Sequence, residues 1–588
     1  MKKALFITLI LILTTKLFSA VNNPDEIIRA MKDELRRSMN DLKLESLQKP
    51  YYIEYYLTTL NSIHVNAVLG GVTGSSNSKS AELTVNVRVG NYKFDNSNFL
   101  DFGFSFFGSG DDEESFKRRT VPLELDYSNL RREIWLATDA AYKQSSEIYS
   151  KKLAAIQNRN RTDTTDDFTP MEPESHYDTL NIPIIDIKKY ENLCKELSER
   201  FKNAPYINAS TVGFEYIPET VYYVNSEGSV YIKNKYSSGI EIVAFTQADD
   251  GMPLADFFSA YALNPNDLPS KDSLLNGIDI LVKNIKTQLS SASLDEPYSG
   301  PILYENQAAA QLFAQGFAPN LVTQRQMLTE NGVQENERYA SFQSKIGGKV
   351  LPEFVSVFDQ PLTSEIDSTK LCGTFKFDDQ GVLAQDVTLV KDGYLKNLLS
   401  SRTPTRRVKS SNGHCRGGGA MISNIIISPE ADKQKTNSDL RDKLLQLCKD
   451  RDLQYGIVVK KVMDQNILFT TLYRTSSGVF PYPNGQGKII LTEAYKLFQD
   501  GHEEPFRGCM AVGVTAQSFK DIIEIGNNNY VLNYLAPSVA SSFMFGGSQY
   551  YQSSISAPDI LLEDGEIKQT EDDYPKPPLT ANPLKIIK

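Results

Sequence analysis

The sequence predicts an α+β protein, because segments with one apolar helical face alternate in blocks with segments of strand pattern. Strict β-α-β order is absent from this pattern. The chain has 30 Tyr and 29 Phe against one Trp, a bias typical of sheet-rich structure. Its 588 residues exceed one ordinary domain. We therefore expect an N-terminal α+β domain with an antiparallel sheet flanked by helices, followed by a C-terminal strand-rich domain.

The N-terminal half begins with a helix signal. Asn23 suits an N-cap and Pro24 suits the first helical position. Ile27, Met31 and Leu35 then recur on one helical face. Periodicity and turn residues next predict two strands, a long helix, a shorter helix, a strand meander and a final helix, over 51–68, 83–89, 127–157, 186–202, 208–247 and 274–289. A turn at 225–228 predicts a hairpin within the meander.

A Pro- and Gly-containing break at 296–301 places the main domain boundary there. The second half opens with a strand and an Ala-rich helix. Further strands are predicted over 349–359, 372–377 and 387–390, and a helix over 438–450. The expected organisation is a signal peptide at 1–20, an N-terminal α+β domain at 21–295, a strand-rich domain at 296–565 and a Pro-rich tail at 566–588.

The N-terminus has the pattern of a secretory signal peptide. Lys2 and Lys3 precede an apolar run over 4–13, and small residues stand at Ser19 and Ala20. A buried N-terminal strand or an uncleaved anchor is the alternative. No later segment approaches 18 unbroken apolar residues, so we expect no membrane span after cleavage. The pattern predicts an exported protein, periplasmic or extracellular.

The composition argues against several classes of function. The net charge of −11 argues against a nucleic-acid-binding surface, which is usually basic. The five cysteines lie far apart without a CxxC spacing, so at most one disulfide is expected and its pairing stays open. The four histidines are scattered, and the one His-Glu pair, at His502, has Phe506 where HExxH needs its second histidine. No GxSxG or P-loop occurs, and a triad assembled from distant residues remains open.

One basic segment, 401–419, stands out in this acidic chain. It contains five cations and no acid, and it ends in three consecutive glycines whose N–H groups could converge on an anion. One interpretation is capture of a peptide carboxylate or an acidic partner, by Arg402, Arg406, His414 and Arg416. The other is a flexible, solvated loop. A nucleophile pair of His414 with Cys415 is disfavoured, because adjacent residues rarely orient that way.

Segments in both halves carry a resemblance to a known family. They lie, in order, at 83–99, 134–144, 222–228, 247–254, 302–315, 398–406 and 411–419. In this order they resemble the TldD/PmbA family of zinc metallopeptidase-like proteins, also called modulators of DNA gyrase. The resemblance implies an α+β domain followed by a strand-rich domain. It also implies dimers, sometimes of unlike subunits, around a chamber that admits unfolded peptide.

The resemblance fails at the metal site that it implies. Active members carry HExxxH on a helix opening the C-terminal half, with the glutamate as general base and a later Cys as a further zinc ligand. Here that window holds Ala314, Gln315 and Pro319, and Pro319 would break the helix. Cys509 lies before the family's ligand position, and 536–565 contains no Cys. We therefore predict no zinc site and no catalytic residue at these degenerate positions.

Three functional hypotheses follow from this comparison. The first is an exported peptide-binding or partner subunit of a peptidase complex, as a homodimer or as a heterodimer with an HExxxH-containing relative. The second is an active metallopeptidase whose ligands include His414, Cys415 and a distant carboxylate. The third is a non-enzymatic envelope or scaffold protein. Whether any catalysis remains is left open by the sequence.

Overall fold

The computed structural model describes residues 23–43, 47–100, 118–157, 163–179, 182–330, 332–334, 339–467, 487–539 and 550–570, and at the C-terminus 574, 577–578, 580 and 582–585. The expected signal peptide at 1–20 lies outside the described residues. Ten of the 23 residues of the expected tail at 566–588 also lie outside the described residues.

The described part of the N-terminal half contains four α-helices around one large sheet. The helices are α1 Pro24–Asp41, α2 Tyr127–Gln157, α3 Ile187–Glu199 and α4 Lys271–Ser290. The strands are β1 Pro50–Val68, β2 Gly71–Asn91, β3 Phe94–Asp95, β4 Phe99–Leu100, β5 Arg118–Val121, β6 Ser175–Tyr177, β7 Ala209–Asn225, β8 Val230–Gln247 and β9 Pro253–Ala262. The order is β3-β2-β1-β7-β8-β6, with β5 on β2 and β9 on β8. All pairs are antiparallel except β6 with β8.

Strand alternation gives this sheet one helix-covered face and one polar face. On β1, Ile63, Val65 and Ala67 are buried against α3 and α4. His64 and Asn66 lie between them and point the other way. The predicted hairpin at 225–228 joins β7 to β8. The polar face is the side on which the candidate site lies.

The C-terminal half is strand-rich, as predicted. Its strands are β10 Tyr298–Tyr304, β11 Met327–Thr329, β12 Gly332–Gln334, β13 Val355–Asp359, β14 Glu365–Ile366, β15 Thr369–Lys370, β16 Val387–Lys391, β17 Tyr394–Leu395, β18 Cys415–Arg416, β19 Gly419–Ala420, β20 Asn424–Pro429, β21 Gln434–Lys435, β22 Tyr455–Val462, β23 Ile489–Phe498, β24 Glu503–Phe506, β25 Cys509–Val512, β26 Ile522–Pro537 and β27 Tyr550–Gln569. The helices are α5 Gln307–Leu312, α6 Asn437–Asp450 and the short α7 Gln465–Ile467.

Twelve of these strands form one sheet, and the long strand β27 organises it. It pairs with β10, β20, β25 and β26 along different parts of its length. The resulting core takes in α5 and most strands of this half. Across the residues that the structure describes, no helix is long and apolar enough to cross a membrane.

One predicted strand is wrong. Residues 372–377 form no strand, because their backbone groups bond outside any ladder: Cys372 N–H donates to Ser554 Oγ and Phe375 N–H donates to the Pro361 carbonyl. Gly373 approaches the Ser423 carbonyl so closely that a Cβ would lie 2.2 Å from its oxygen. The predicted strand 349–359 is likewise shorter, because regular pairing begins only at Val355.

Candidate functional site

A cavity of about 280 Å³ lies between the polar face of the N-terminal sheet and strands of the C-terminal half. Strands β1, β7, β8 and β9 contribute one wall, and Leu535 of β26 with Gln552 of β27 contributes the other. Gln552 Nε2 donates to the Ser238 carbonyl over 2.9 Å, and Asn533 Nδ2 donates to the Tyr261 carbonyl over 3.3 Å. These bonds hold the two walls together at the cavity.

The sheet wall has a bare floor with a carboxylate on either side. Strand β7 carries Gly213 and Glu215 two residues apart, and β8 carries Gly239 and Glu241 with the same spacing. In the antiparallel register Gly213 lies opposite Glu241 and Glu215 lies opposite Gly239. All four therefore share one face, and the two glutamates are diagonal neighbours across a floor without side chains. We call this arrangement the Gly-x-Glu pair.

Both carboxylates of the Gly-x-Glu pair accept bonds from neighbours. Tyr261 Oη donates to Glu241 Oε1 over 2.6 Å. His64 Nδ1 lies 3.1 Å from Glu215 Oε2, and Ser62 Oγ lies 2.5 Å from His64 Nε2. Burial and the negative charge of Glu241 hold the pKa of Tyr261 well above its usual range. Tyr261 therefore stays a neutral donor.

The Ser62–His64–Glu215 contacts have the connectivity of a serine-hydrolase triad. Ser62, however, lies in the middle of β1, in register with Ser78 of β2. A nucleophilic serine needs backbone N–H donors that converge beside it to hold an oxyanion. The N–H groups in the middle of a strand instead lie in the plane of the sheet and point towards the neighbouring strands. The contacts instead orient Glu215 at the cavity.

A protonatable carboxyl group lies close to this cavity. Asp464, on the turn between β22 and α7, is buried, and burial followed by repulsion from Glu241 raises its pKa to about 7. The N–H of Asn466 donates to Asp464 Oδ1 over 2.9 Å, and the Asn466 amide in turn donates to the Leu535 carbonyl. This turn thus connects Asp464 to the β26 wall.

The degenerate metal-site positions lie on the helical segment that begins with α5. Beyond Leu312 the segment widens into a π-turn over Phe313–Phe317 and then tightens into a 3₁₀ turn over Ala318–Leu321. The expected break at Pro319 is therefore a change of helix type, since proline lacks an N–H and its ring clashes with the carbonyl four residues earlier. Ala314 is buried, and Gln315 Nε2 donates to the Met463 carbonyl over 2.8 Å.

The residues at this position do not fit a zinc ion. Zinc binds Cys, His and carboxylate ligands, whereas Ala314 and Pro319 offer no ligand atom. The amide oxygens of Gln311 and Gln315 are buried without a hydrogen-bond partner, and amide oxygens are poor zinc ligands. Within the described ranges, no group of three or more His, Cys, Asp or Glu side chains could hold a metal ion. We derive no chemical step through zinc here.

Among the four predicted anion-binding residues, Arg402 is fully buried between the two halves of the chain. Its guanidinium donates to Glu227 Oε1 over 2.7 Å, to the Thr169 carbonyl over 2.6 Å and to Tyr52 Oη over 3.3 Å. It also stacks 4.1 Å from the Phe168 ring centroid. Its donors thus bind acceptors within the chain.

The other three predicted residues do not line the described part of the cavity, although Arg416 contacts the lining residue Gln552. Arg406 is exposed, with its Nε 3.5 Å from Asp163 Oδ1. His414 is buried, and its ring nitrogens lie 3.0 Å from the Asn412 carbonyl and 3.2 Å from Asp359 Oδ1. Arg416 donates to the Ile422 and Gln552 carbonyls. Segment 401–419 is therefore largely packed, with 406, 407, 409, 410 and 418 as its exposed positions.

The cysteines are all buried and unpaired. Cys194, Cys372, Cys415, Cys448 and Cys509 are free thiols. Burial, with the nearby carboxylates of Asp378 and Asp379, holds the pKa of Cys415 well above its usual range. A thiolate, which is the form that binds metal or attacks a substrate, is thereby disfavoured at Cys415.

The Gly-x-Glu pair was missed from the sequence, although both strands were predicted. Each segment alone is an ordinary strand fragment. The signal lies in the repetition of glycine and glutamate at the same spacing on the two arms of one hairpin. Counting outward from the predicted turn at 225–228 would have brought the two segments into register.

The fold is thus an antiparallel sheet that faces a strand-rich half across a polar cavity. Residues 298–569 match the family model described as PmbA/TldA metallopeptidase C-terminal domain. This stretch of the chain is therefore a C-terminal domain of the TldD/PmbA type.

Known relatives agree with this assignment. A protein named metalloprotease from Archaeoglobus fulgidus is 31% identical over 106 residues, which is 18% of this chain and 23% of that protein. The chain thus matches about a quarter of that relative's length. Among solved structures, TldE from Thermococcus kodakarensis is 13% identical with a TM-score of 0.54, over 92% of this chain and 99% of the other. A protein named as a modulator of a DNA gyrase from Thermotoga maritima is 13% identical with a TM-score of 0.55, over 91% of this chain and 100% of the other. At these identities the likeness shows the fold alone.

Proposed function

We propose that this chain is an exported TldD/PmbA-family subunit that binds unfolded peptide in the cavity between its two halves and has no zinc site of its own. The observation that carries the proposal is the chemistry at 314–319. Gln315 stands where the resemblance implies the catalytic glutamate, and its amide donates to the Met463 carbonyl. A glutamine cannot take up a proton, so it cannot serve as a general base.

The cavity supports the peptide-binding part of the proposal. Its sheet wall combines backbone, two glycines and polar side chains, and it is open enough that the Glu215 side chain is 44% exposed. Concave sites that join apolar surface to a few fixed polar groups are the usual form of ligand pockets. An extended peptide matches such a wall better than a folded surface does.

A partner subunit would supply the missing chemistry. Within the family that the chain resembles, a subunit without HExxxH pairs with one that carries it, and we propose the same arrangement here, with a homodimer as the alternative. Export is part of the proposal because residues 1–20 have the pattern of a signal peptide. An exported partner with HExxxH is therefore expected.

The alternative ligand set of His414 and Cys415 finds no support in the geometry. Both His414 nitrogens lie against protein oxygens, and the Cys415 thiol has a raised pKa. No observation favours the scaffold alternative over peptide binding. Both alternatives nevertheless give distinct outcomes in the same experiment.

The test is zinc content and peptide binding of the purified mature protein. We expect substoichiometric zinc by plasma emission spectrometry after dialysis against zinc, and unchanged affinity for a labelled unfolded peptide after chelator treatment. A pull-down from the source cell should recover an HExxxH-containing relative. Stoichiometric zinc that is lost in His414→Ala would overturn the proposal in favour of an active enzyme. Recovery of envelope components alone, with no peptide binding, would favour a scaffold.

A further inference from the structure

A shallow groove of about 490 Å³ lies between α1 and the first turns of α2. Its lining includes Arg37 from α1 and Arg131, Arg132 and Trp135 from α2. Arg131 and Arg132 stand four and three positions before Trp135, so these three side chains share one face of the helix. We call this surface the arginine groove. It lies on the helix-covered side of the N-terminal sheet, away from the cavity between the two halves.

The arginine groove has more cations than anions. Glu34 is the one carboxylate in its described lining, and the Glu34 side chain is buried. Arg37 Nε donates to Glu34 Oε1 over 2.9 Å, and Arg131 Nη2 donates to Glu34 Oε2 over 3.0 Å. One negative charge therefore serves two guanidiniums, and Arg132 adds a third. The groove is locally positive in a chain whose net charge is −11.

The guanidiniums are held in place without being covered. Arg131 Nη1 donates to Tyr127 Oη over 3.2 Å, and Arg132 Nη1 donates to Glu133 Oε1 over 2.9 Å. The side chains of Arg37, Arg131 and Arg132 are nevertheless 44%, 32% and 65% exposed. Arginine presents its N–H groups as a planar fork, which matches the two oxygens of a carboxylate. The groove thus offers oriented donors to an anionic group.

Trp135 places apolar surface beside these cations. It is the single tryptophan of the chain, and it is 49% exposed. Tryptophan and arginine are enriched among the residues that contribute most to protein–protein binding. A lipid surface would instead favour a cluster of cations without acids, whereas Glu26 and Asp33 are interspersed with the arginines of α1. These features favour a protein segment as the ligand.

We propose that the arginine groove is a docking site for an acidic segment of a partner protein. A Glu or Asp carboxylate of that segment binds the guanidiniums, and a neighbouring apolar side chain packs on Trp135. The groove and the cavity lie on opposite sides of the N-terminal sheet. This inference therefore goes beyond the proposed function and does not rest on it.

The test uses the full mature chain and two acetylated peptides without aromatic residues. One contains Glu, Leu and Ser, and the other has Gln in place of every Glu. Because Trp135 is the only tryptophan, a change in its emission locates binding at the groove and not at segment 401–419. We expect a saturable emission change with the Glu peptide that weakens at high salt, and an affinity for the Gln peptide that is lower by about tenfold or more.

A double variant and a matched control test the cations. Arg37→Gln with Arg132→Gln changes two surface side chains and leaves Arg131 on Glu34, so the unfolding temperature should stay close to that of wild type. Its affinity for the Glu peptide should fall by about tenfold or more. Arg200→Gln should keep the wild-type affinity, because Arg200 is 47% exposed, much like Arg37, but pairs with Asp279 of α4.

The outcomes that would overturn the proposal are distinct. Equal affinity for the two peptides, or binding that leaves the Trp135 emission unchanged, would contradict an acidic ligand at the groove. Undiminished affinity in the double variant would contradict it as well. An emission change with phosphatidylglycerol vesicles but not with the Glu peptide would assign the groove to a lipid surface. An emission change with protein concentration alone would assign it to a second copy of the chain.

Discussion

Arg402 shows how a single buried charge connects the two halves of the chain. Its guanidinium binds Glu227 and the Thr169 carbonyl, both of which lie in the N-terminal half. In Arg402→Met the Thr169 carbonyl loses this donor, and the Glu227 carboxylate, which still accepts from Tyr92 Oη, loses its counter-charge. We expect a loss of about 3–5 kcal/mol in the free energy of unfolding, measured by urea denaturation.

Arg406→Ala is the matched control for Arg402→Met. Arg406 is exposed and only 3.5 Å from Asp163, so its removal should change stability by no more than about 0.5 kcal/mol. Equal effects of the two variants would contradict the burial of Arg402. The Arg406→Glu variant also tests anion capture without disturbing the core, since weaker binding of an acidic peptide would support that prediction.

The sequence indicates that segment 401–419 is unusual, but it does not show the reason. Five cations without an acid predicted a surface role, because charged residues are rarely buried unless paired. The partner of Arg402 is Glu227, which lies 175 positions away in the chain. Local patterns contain no information on such a pair, so a buried bridge and an exposed anion site look alike from sequence.

Asp464 makes stability depend on pH. Its folded pKa is about 7, against about 3.9 for an unfolded aspartate, so the folded state holds the extra proton between these values. Stability from this group is therefore full below about pH 4 and falls as the pH rises toward 7, by about 1.4 kcal/mol per pH unit between the two pKa values. In Asp464→Asn this fall should be absent.

Urea denaturation of both proteins from pH 4 to pH 8 checks the Asp464 prediction. The difference in unfolding free energy between wild type and Asp464→Asn should decrease steadily as the pH rises. Asp378, whose burial raises its pKa to about 6, titrates in both proteins and cancels in the difference. A difference that is constant across this range would show that Asp464 is ionised throughout.

At the scale of elements, the floor of the cavity depends on two glycines with different surroundings. A Cβ at Gly213 would lie 3.1 Å from Asn66 Oδ1, the end of a flexible side chain, whereas one at Gly239 would lie 2.7 Å from the Tyr261 ring. We expect Gly213→Ala to weaken binding of the labelled unfolded peptide with a stability change below about 1 kcal/mol. Gly239→Ala should also destabilise the sheet.

The control for these strand variants is Gly74→Ala on β2. Among the residues that the structure describes, no atom lies within 4 Å of a Cβ built at Gly74, so neither binding nor packing should suffer. Peptide anisotropy and thermal unfolding of the three variants provide the readings. Unchanged peptide binding in Gly213→Ala would show that the cavity floor at Gly213 does not contact the peptide.

Elements were predicted well where local periodicity determines them. The helix at Pro24–Asp41 has the expected Asn23 cap, and Asn437–Asp450 has a capping box from Thr436 and Asp439. The segment 372–377 was mispredicted because the backbone N–H groups of Cys372 and Phe375 donate to Ser554 and Pro361, which lie outside the segment. Tertiary contacts of this kind override propensity.

The whole molecule is two halves joined by buried polar contacts that surround a cavity. Lys233 and Lys235 of β8 lie 2.9 and 2.7 Å from Asp379 Oδ1, and these lysines hold the pKa of Asp379 far below its usual range against the effect of burial. The Tyr56 hydroxyl donates to the Asp379 carbonyl over 2.5 Å. This network keeps the polar face of the N-terminal sheet against the C-terminal half, where the cavity forms.

The family fold was predictable from segment order, whereas the cavity was not, because it needs the register of β7 with β8 and the approach of β27. The domain division at 295–296 and the signal peptide at 1–20 stay predictions. So does a dimer. Together these parts describe a chain with a TldD/PmbA-type C-terminal domain whose helix α5 leads into a segment that carries Gln315.

Peptide binding without a zinc site is tested by the affinity of the mature protein for the labelled unfolded peptide, measured in parallel with its zinc content before and after chelation. We predict substoichiometric zinc, an affinity unchanged by the chelator, and no cleavage of the peptide. Stoichiometric zinc with peptide cleavage that stops on chelation and returns with added zinc would contradict it.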